Sequence, residues 1–198
     1  MSTVKSSNGE RVMERIQELE QYVREQWAER TRIKRDFLME HYEGLAPDFQ
    51  KALIRLIDEQ SKKDSMGKIQ YIYLNRLLSS VYTESYVFVI GMAGSELFLD
   101  ENKSQIDWYP KLVYENINKD MEKVEDCLRK KFIRLKEYEL FRLKRILLED
   151  DWKILQEIFL LLMKDSINIL TDSSLQLENE LQILAGNYMD RPEALWKR

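Results

Sequence analysis

One histidine and one cysteine occur in 198 residues, and that scarcity limits the chemistry the side chains could perform. His41 stands late in a charged stretch, between Glu40 and Glu43. Metal sites built from several imidazoles, including the paired Glu-x-x-His of di-iron helix bundles, are excluded. A Ser-His-Asp or Cys-His relay would have to run through His41, which reads as a surface histidine. Cys127 follows Glu125 and Asp126, whereas a reactive thiolate is favoured by nearby positive charge or a helix N-terminus. A single cysteine also forms no intrachain disulfide.

The acidic run Glu149-Asp150-Asp151 could hold a divalent cation only if its carboxylates converged, and consecutive residues on a helix diverge. An N-cap with negative charge at a helix start is the expected role. Gly91-Met92-Ala93-Gly94-Ser95 resembles a phosphate-binding loop only in its glycines. No lysine follows in the required place, and the flanks read as strand-turn-strand. From these residues we expect no catalytic residue, no metal and no cofactor.

Two stretches remain as candidate binding surfaces. Arg129 to Arg145 holds eight basic and two acidic residues, with Phe132, Tyr138 and Phe141 interleaved. Arg129, Lys130, Lys131, Arg134 and Lys136 form the candidate basic patch, weighed against a solvated helix end whose cations favour the dipole. The second stretch is aromatic and runs from Tyr71 to Tyr114. Tyr82, Thr83, Ser85, Tyr86, Trp108 and Tyr109 are its candidate interaction or pocket residues. The plain alternative is a core beneath a hairpin, with tyrosine hydroxyls reaching the surface.

The elements that must position these residues read as mainly α-helical, a bundle of long helices with one β-hairpin. Glycine and proline, the strongest helix breakers, are absent between Pro110 and Gly186. Residues 1–9 are small and polar and predict a disordered start. One helical domain over 10–198 is expected, with 10–63 as a possible helical hairpin and 67–198 as a core bundle. A first helix over Glu10–Glu43 carries Val12, Ile16, Leu19 and Val23 at coiled-coil spacing. Gln26 and Arg30 interrupt that seam. A second helix covers Pro47–Gln60, and a polar turn follows at Ser61–Gly67. Lys68–Tyr82 is apolar nearly all round and reads as a buried central helix, although Ile69–Leu74 also suits a strand.

Ser85–Ile90 and Ser95–Asp100 predict the hairpin, with Gly91–Gly94 as its turn. Helical signal then runs from Lys111 to Leu148, with a possible break near Tyr138. Further helices are expected over Trp152–Leu170 and from Leu177 to about Gly186. Thr171-Asp172-Ser173-Ser174 is a second expected cap cluster, with Ser173 and Gln176 as a capping box.

Net charge is -4, with 44% hydrophobic and 33% charged residues. That balance disfavours bulk attraction to nucleic acid or anionic membrane. No apolar run is long enough to span a bilayer, and Met1–Asn8 has no signal-peptide core, so a cytoplasmic protein is expected. The leading function is a helical protein–protein interaction module without catalytic activity: an adaptor, an inhibitor or immunity-type protein, or an assembly subunit. Its partner would be another protein, or a second copy through the long helices. One alternative is a winged-helix DNA-binding regulator with dimerisation helices. Another is a small-ligand-binding protein using the region 71–114.

Overall fold

The computed structural model describes residues 4–63 and 67–197. Residues 1–3 of the expected disordered start, and Asp64 and Ser65 of the expected polar turn, lie outside the described residues. Helix dominates at 61%, yet the chain also builds a five-stranded mixed sheet rather than a lone hairpin. The helices are α1 (Val4–His41), α2 (Ala46–Ser61), α3 (Ser80–Thr83), α4 (Lys111–Tyr114), α5 (Ile117–Lys131), α6 (Glu137–Asp165) and α7 (Ile167–Thr171). The strands are β1 (Ile69–Arg76), β2 (Phe88–Ala93), β3 (Ser104–Trp108), β4 (Leu177–Asn187) and β5 (Glu193–Lys197), in the order β3-β2-β1-β4-β5. Two compact units result: Met1–Phe37 with Glu115–Lys153, and Leu38–Tyr114 with Ile154–Arg198.

The first unit is helical. Of the expected seam, Leu19 and Val23 are buried while Val12 is exposed, and Trp27 joins the buried side. Where the seam turns polar, charges replace the apolar contacts. Arg30 Nη1 lies 2.9 Å from Asp151 Oδ1, Lys34 Nζ lies 2.7 Å from Asp151 Oδ2, and Arg30 also pairs with Asp120. The Asp151 side chain is fully buried. The acidic run is therefore no helix start, because α6 passes straight through it. Asp151 stands four residues after Leu147 and so shares its buried stripe.

The expected helix from Lys111 to Leu148 is three pieces. Its main break falls at Phe132–Lys136, without glycine or proline. Arg134 takes a left-handed φ of 59° there. Arg15 Nη2 donates to the carbonyls of Ile133 and Arg134, at 3.2 Å each. Glu139 Oε2 accepts from the Lys136 backbone N–H at 2.8 Å, the return bond of a capping box. Side-chain bonds to backbone thus end one helix and start the next.

The second unit holds the sheet. Lys68–Tyr82 is not a helix; β1 occupies most of it, between antiparallel β2 and parallel β4. A strand covered on both faces is apolar throughout, as a buried helix is, so periodicity alone does not separate them. Residues 177–187, expected as helix, form β4 and return as β5 in an antiparallel hairpin. The cap cluster before it ends α7: Ser173 Oγ donates to the Leu170 carbonyl at 2.6 Å and accepts from the Leu175 N–H at 3.3 Å.

The expected hairpin is displaced along the chain. Gly91 is not in a turn but inside β2, opposite Tyr73 of β1. A Cβ on Gly91 would stand 2.2 Å from the Tyr73 ring, so this close approach demands glycine. Ser95–Asp100 is a turn around a short 3-10 helix, Leu97–Leu99, and not the return strand. Asp100 closes the turn by accepting from the N–H of Gly94 at 2.6 Å and of Asn102 at 2.8 Å. The return strand is β3. One sheet face packs Tyr73, Ala93 and Leu184 beneath Leu97 and Phe98. On the other, Phe49 of α2 meets Trp108 and Phe159, with ring centroids 5.4 and 5.8 Å apart.

Candidate functional site

One recess in the second unit runs along β3. It is a groove of about 710 Å³ between α2 and the strand. Its α2 wall carries Asp48, Lys51, Arg55 and Glu59; its β3 wall is Gln105–Trp108, continued by Tyr109 and Lys111. The α2 wall follows from helical spacing. Phe49, Leu53, Leu56 and Ile57 turn into the core, which leaves 48, 51, 55 and 59 along one flank. Pro47 sits in the first turn, where its missing N–H costs no hydrogen bond.

Alternation along β3 assigns its side chains. Gln105 reaches the Tyr73 hydroxyl, donating from Nε2 at 2.8 Å. Asp107 shares that face, while Ser104, Ile106 and Trp108 face α2. The two run antiparallel: Phe49 packs on Trp108 at one end, and Lys63 Nζ donates to the Asn102 carbonyl at 2.9 Å at the other.

The groove is lined by as many acids (Asp48, Glu59, Asp107) as cations (Lys51, Arg55, Lys111), but few of them pair. Lys51 pairs with Asp48 at 3.3 Å. Arg55 and Lys111 have no carboxylate partner among the described residues. The Trp108 indole N–H is buried and has no acceptor there either. Beneath the neighbouring strands, burial pushes the Tyr73 hydroxyl up to about 12, against the opposing Gln105 bond.

The sequence candidates are distributed, not gathered. Trp108 and Tyr109 line the groove. Tyr86 is buried and stacks on Tyr114, with centroids 5.5 Å apart and planes 11° apart. Tyr82, Thr83 and Ser85 are exposed at the α3–β2 junction, where the Thr83 and Ser85 hydroxyls lie 3.1 Å apart. Glu84 and Tyr86 both hold left-handed φ there, at 54° and 46°.

Of the basic patch, Arg129, Lys130 and Lys131 form the last turn of α5. Arg129 pairs with Glu125, and Lys131 Nζ sits 4.2 Å from the Tyr22 ring centroid. Arg134 and Lys136 are exposed in the loop that follows, in the first unit. His41 is exposed and Cys127 half-buried. Among the described residues no group of three or more His, Cys, Asp or Glu side chains could hold a metal ion. No described helix is long and apolar enough to cross a membrane.

Sequence reasoning missed Lys51, Arg55 and Lys111. Their signal lay in the flank spacing of α2, which becomes meaningful only once β3 is placed beside it. The chain matches no protein-family model, no curated protein and no solved structure.

Proposed function

We propose that the chain is a protein–protein interaction module without catalytic activity, docking its partner in the groove between α2 and β3. The observation that carries this reading is the position of β3 at the border of the sheet, with a recess alongside. A bordering strand offers backbone N–H and C=O groups to another chain, and native proteins normally blunt or cover such an edge. The DNA-binding alternative has less behind it, because Lys68–Tyr82, whose expected helix would have to serve as its recognition helix, is mostly strand β1. The small-ligand alternative keeps Trp108 and Tyr109, which line the groove, while Tyr86 and Tyr114 of the same region stack on each other.

A photo-crosslinking residue replacing Arg55 in living cells of the source organism tests the reading. A second, replacing Ile133 beside the basic patch, serves as a control at a position 82% exposed. Adducts with a defined protein from Arg55 alone are the expected result. Adducts from Ile133 alone would move the docking surface to the other unit, and adducts from neither would overturn the module reading. A doubled mass in solution, lost on substituting the exposed Val12 and Met13 of α1, would instead indicate self-association through the long helix.

A further inference from the structure

The junction of α5 and α6, in the first unit, carries charge of one sign. Arg129, Lys130, Lys131, Arg134 and Lys136 are all exposed, and no acid occurs from 129 to 136. Arg129 pairs with Glu125, and Glu139 is buried against Arg15. Four cations then face Asp126, a turn back along α5, and Glu137, the first residue of α6. On α1, Arg11 and Glu18 lie about one turn either side of Arg15 and offset each other. Helix dipoles explain Arg129–Lys131, at the C-terminal end of α5. They do not explain Lys136, which precedes the first turn of α6, where an anion is favoured.

The apex of the same loop is apolar. Ile133 is 82% exposed, and the loop is fixed in that shape. Arg15 ties back the carbonyls of Ile133 and Arg134, and Arg134 holds its left-handed φ of 59°. An aliphatic side chain is thus held out in water inside a ring of cations.

That pairing of chemistries decides between partners. Single-stranded nucleic acid binds by stacking on aromatic faces, but Phe132 packs edge-on against Tyr22, Lys131 sits over Tyr22 and Lys136 over Tyr138. A duplex would meet the cations through phosphate and leave Ile133 in water. An anionic bilayer satisfies both parts, with headgroups against the cations and the acyl boundary taking the aliphatic side chain. We infer that the α5–α6 loop docks on an anionic phospholipid surface, with Ile133 inserted and Lys130, Lys131, Arg134 and Lys136 against the headgroups. The net charge of -4 disfavours bulk attraction, so the contact depends on this loop. It is peripheral, since no described helix is long and apolar enough to cross the membrane. The inference stands apart from the α2–β3 groove: vesicle binding and the Arg55 crosslinks can each fail alone.

The test is flotation of the full chain with vesicles of phosphatidylcholine alone, or with about 30% phosphatidylserine. Binding to the anionic vesicles only is expected, weakening as salt rises. K130E/R134E should weaken it at least tenfold, and Ile133→Ser about threefold or more. The charge-matched K119E/K164E should leave it within about twofold. All five side chains are exposed, so these substitutions leave the fold intact. No binding to anionic vesicles, an equal loss in K119E/K164E, or full affinity in Ile133→Ser would each overturn the inference. Loop-dependent binding of a mixed-sequence DNA or RNA duplex without vesicle binding would overturn it in favour of nucleic acid. Protein adducts from a crosslinker at Ile133 in cells would do so in favour of a protein.

Discussion

Gly91 and Tyr73 show how one residue's absence of a side chain fixes another's position. The Tyr73 ring lies over the Gly91 backbone of β2, and its hydroxyl accepts from Gln105 of β3, the strand beyond. Alanine at position 91 would force ring or strand apart, a kind of overpacking that costs about 1–3 kcal/mol. Denaturant unfolding should show that loss in Gly91→Ala, whereas Gly67→Ala, with open space around it, should stay within about 0.5 kcal/mol. The Tyr73 hydroxyl gives a second prediction. Its folded value, about 12, exceeds the ordinary value of 10, so its contribution to stability is complete below pH 10 and is lost as pH rises from there towards 12. An absorbance titration should reveal a late-ionising tyrosine that disappears in Tyr73→Phe. At Asp151, removing the carboxylate takes the partner from half-buried Lys34 and leaves Arg30 with Asp120 alone. Asp151→Ala should cost about 3–5 kcal/mol in thermal or denaturant unfolding, far more than a surface acid.

The helix ends and strands show where local pattern sufficed and where it did not. α2 was legible because its apolar stripe has a clear period of 3.6 and Pro47 marks its start. β1 was only half legible, with Ile69–Leu74 suiting helix or strand, and β4 was not, because strands packed between neighbours lose the alternation that distinguishes them. Leu177, Leu181, Leu184 and Tyr188 mimic a helical stripe, yet β4 buries Leu181, Ile183, Leu184 and Ala185 against neighbours that no local window contains. The α5–α6 break was expected only loosely, near Tyr138, because the bonds that place it come from Arg15, a residue far away in sequence. That junction carries its own pH prediction. Burial pushes the Glu139 carboxyl up, but the bonds from Arg15 and the Lys136 N–H outweigh it and hold the group below its usual range. A depressed folded value stabilises above the ordinary carboxylate pKa and stops doing so as pH falls through the folded one. The stability advantage of the parent chain over Glu139→Gln should therefore be full well above the ordinary carboxylate value of 4.5 and shrink as pH falls below it, as followed by urea unfolding.

Each unit of the whole molecule is assembled from two separated stretches of chain. A truncated chain beginning at residue 67 would keep every strand but lose Phe49, Leu53, Leu56 and Ile57 of α2. Circular dichroism on heating should show no cooperative transition for it, while the full chain melts sharply. The groove was half legible for the same reason of assembly. Trp108 and Tyr109 stood out by type, whereas Arg55 and Lys51 gained meaning only from a strand that lies some fifty residues further on. The parallel pairing of β1 with β4 also sets a timetable for the nascent chain. β1 leaves the ribosome first, and all of α5 and α6 must be synthesised before its second neighbour exists. Through that interval an apolar strand awaits its partner, the condition in which slow, non-local pairing exposes a chain to aggregation or to chaperone capture. Pulse-labelled refolding should find the β1 amides protected no earlier than those of β4, although helix fills most of the sequence between them.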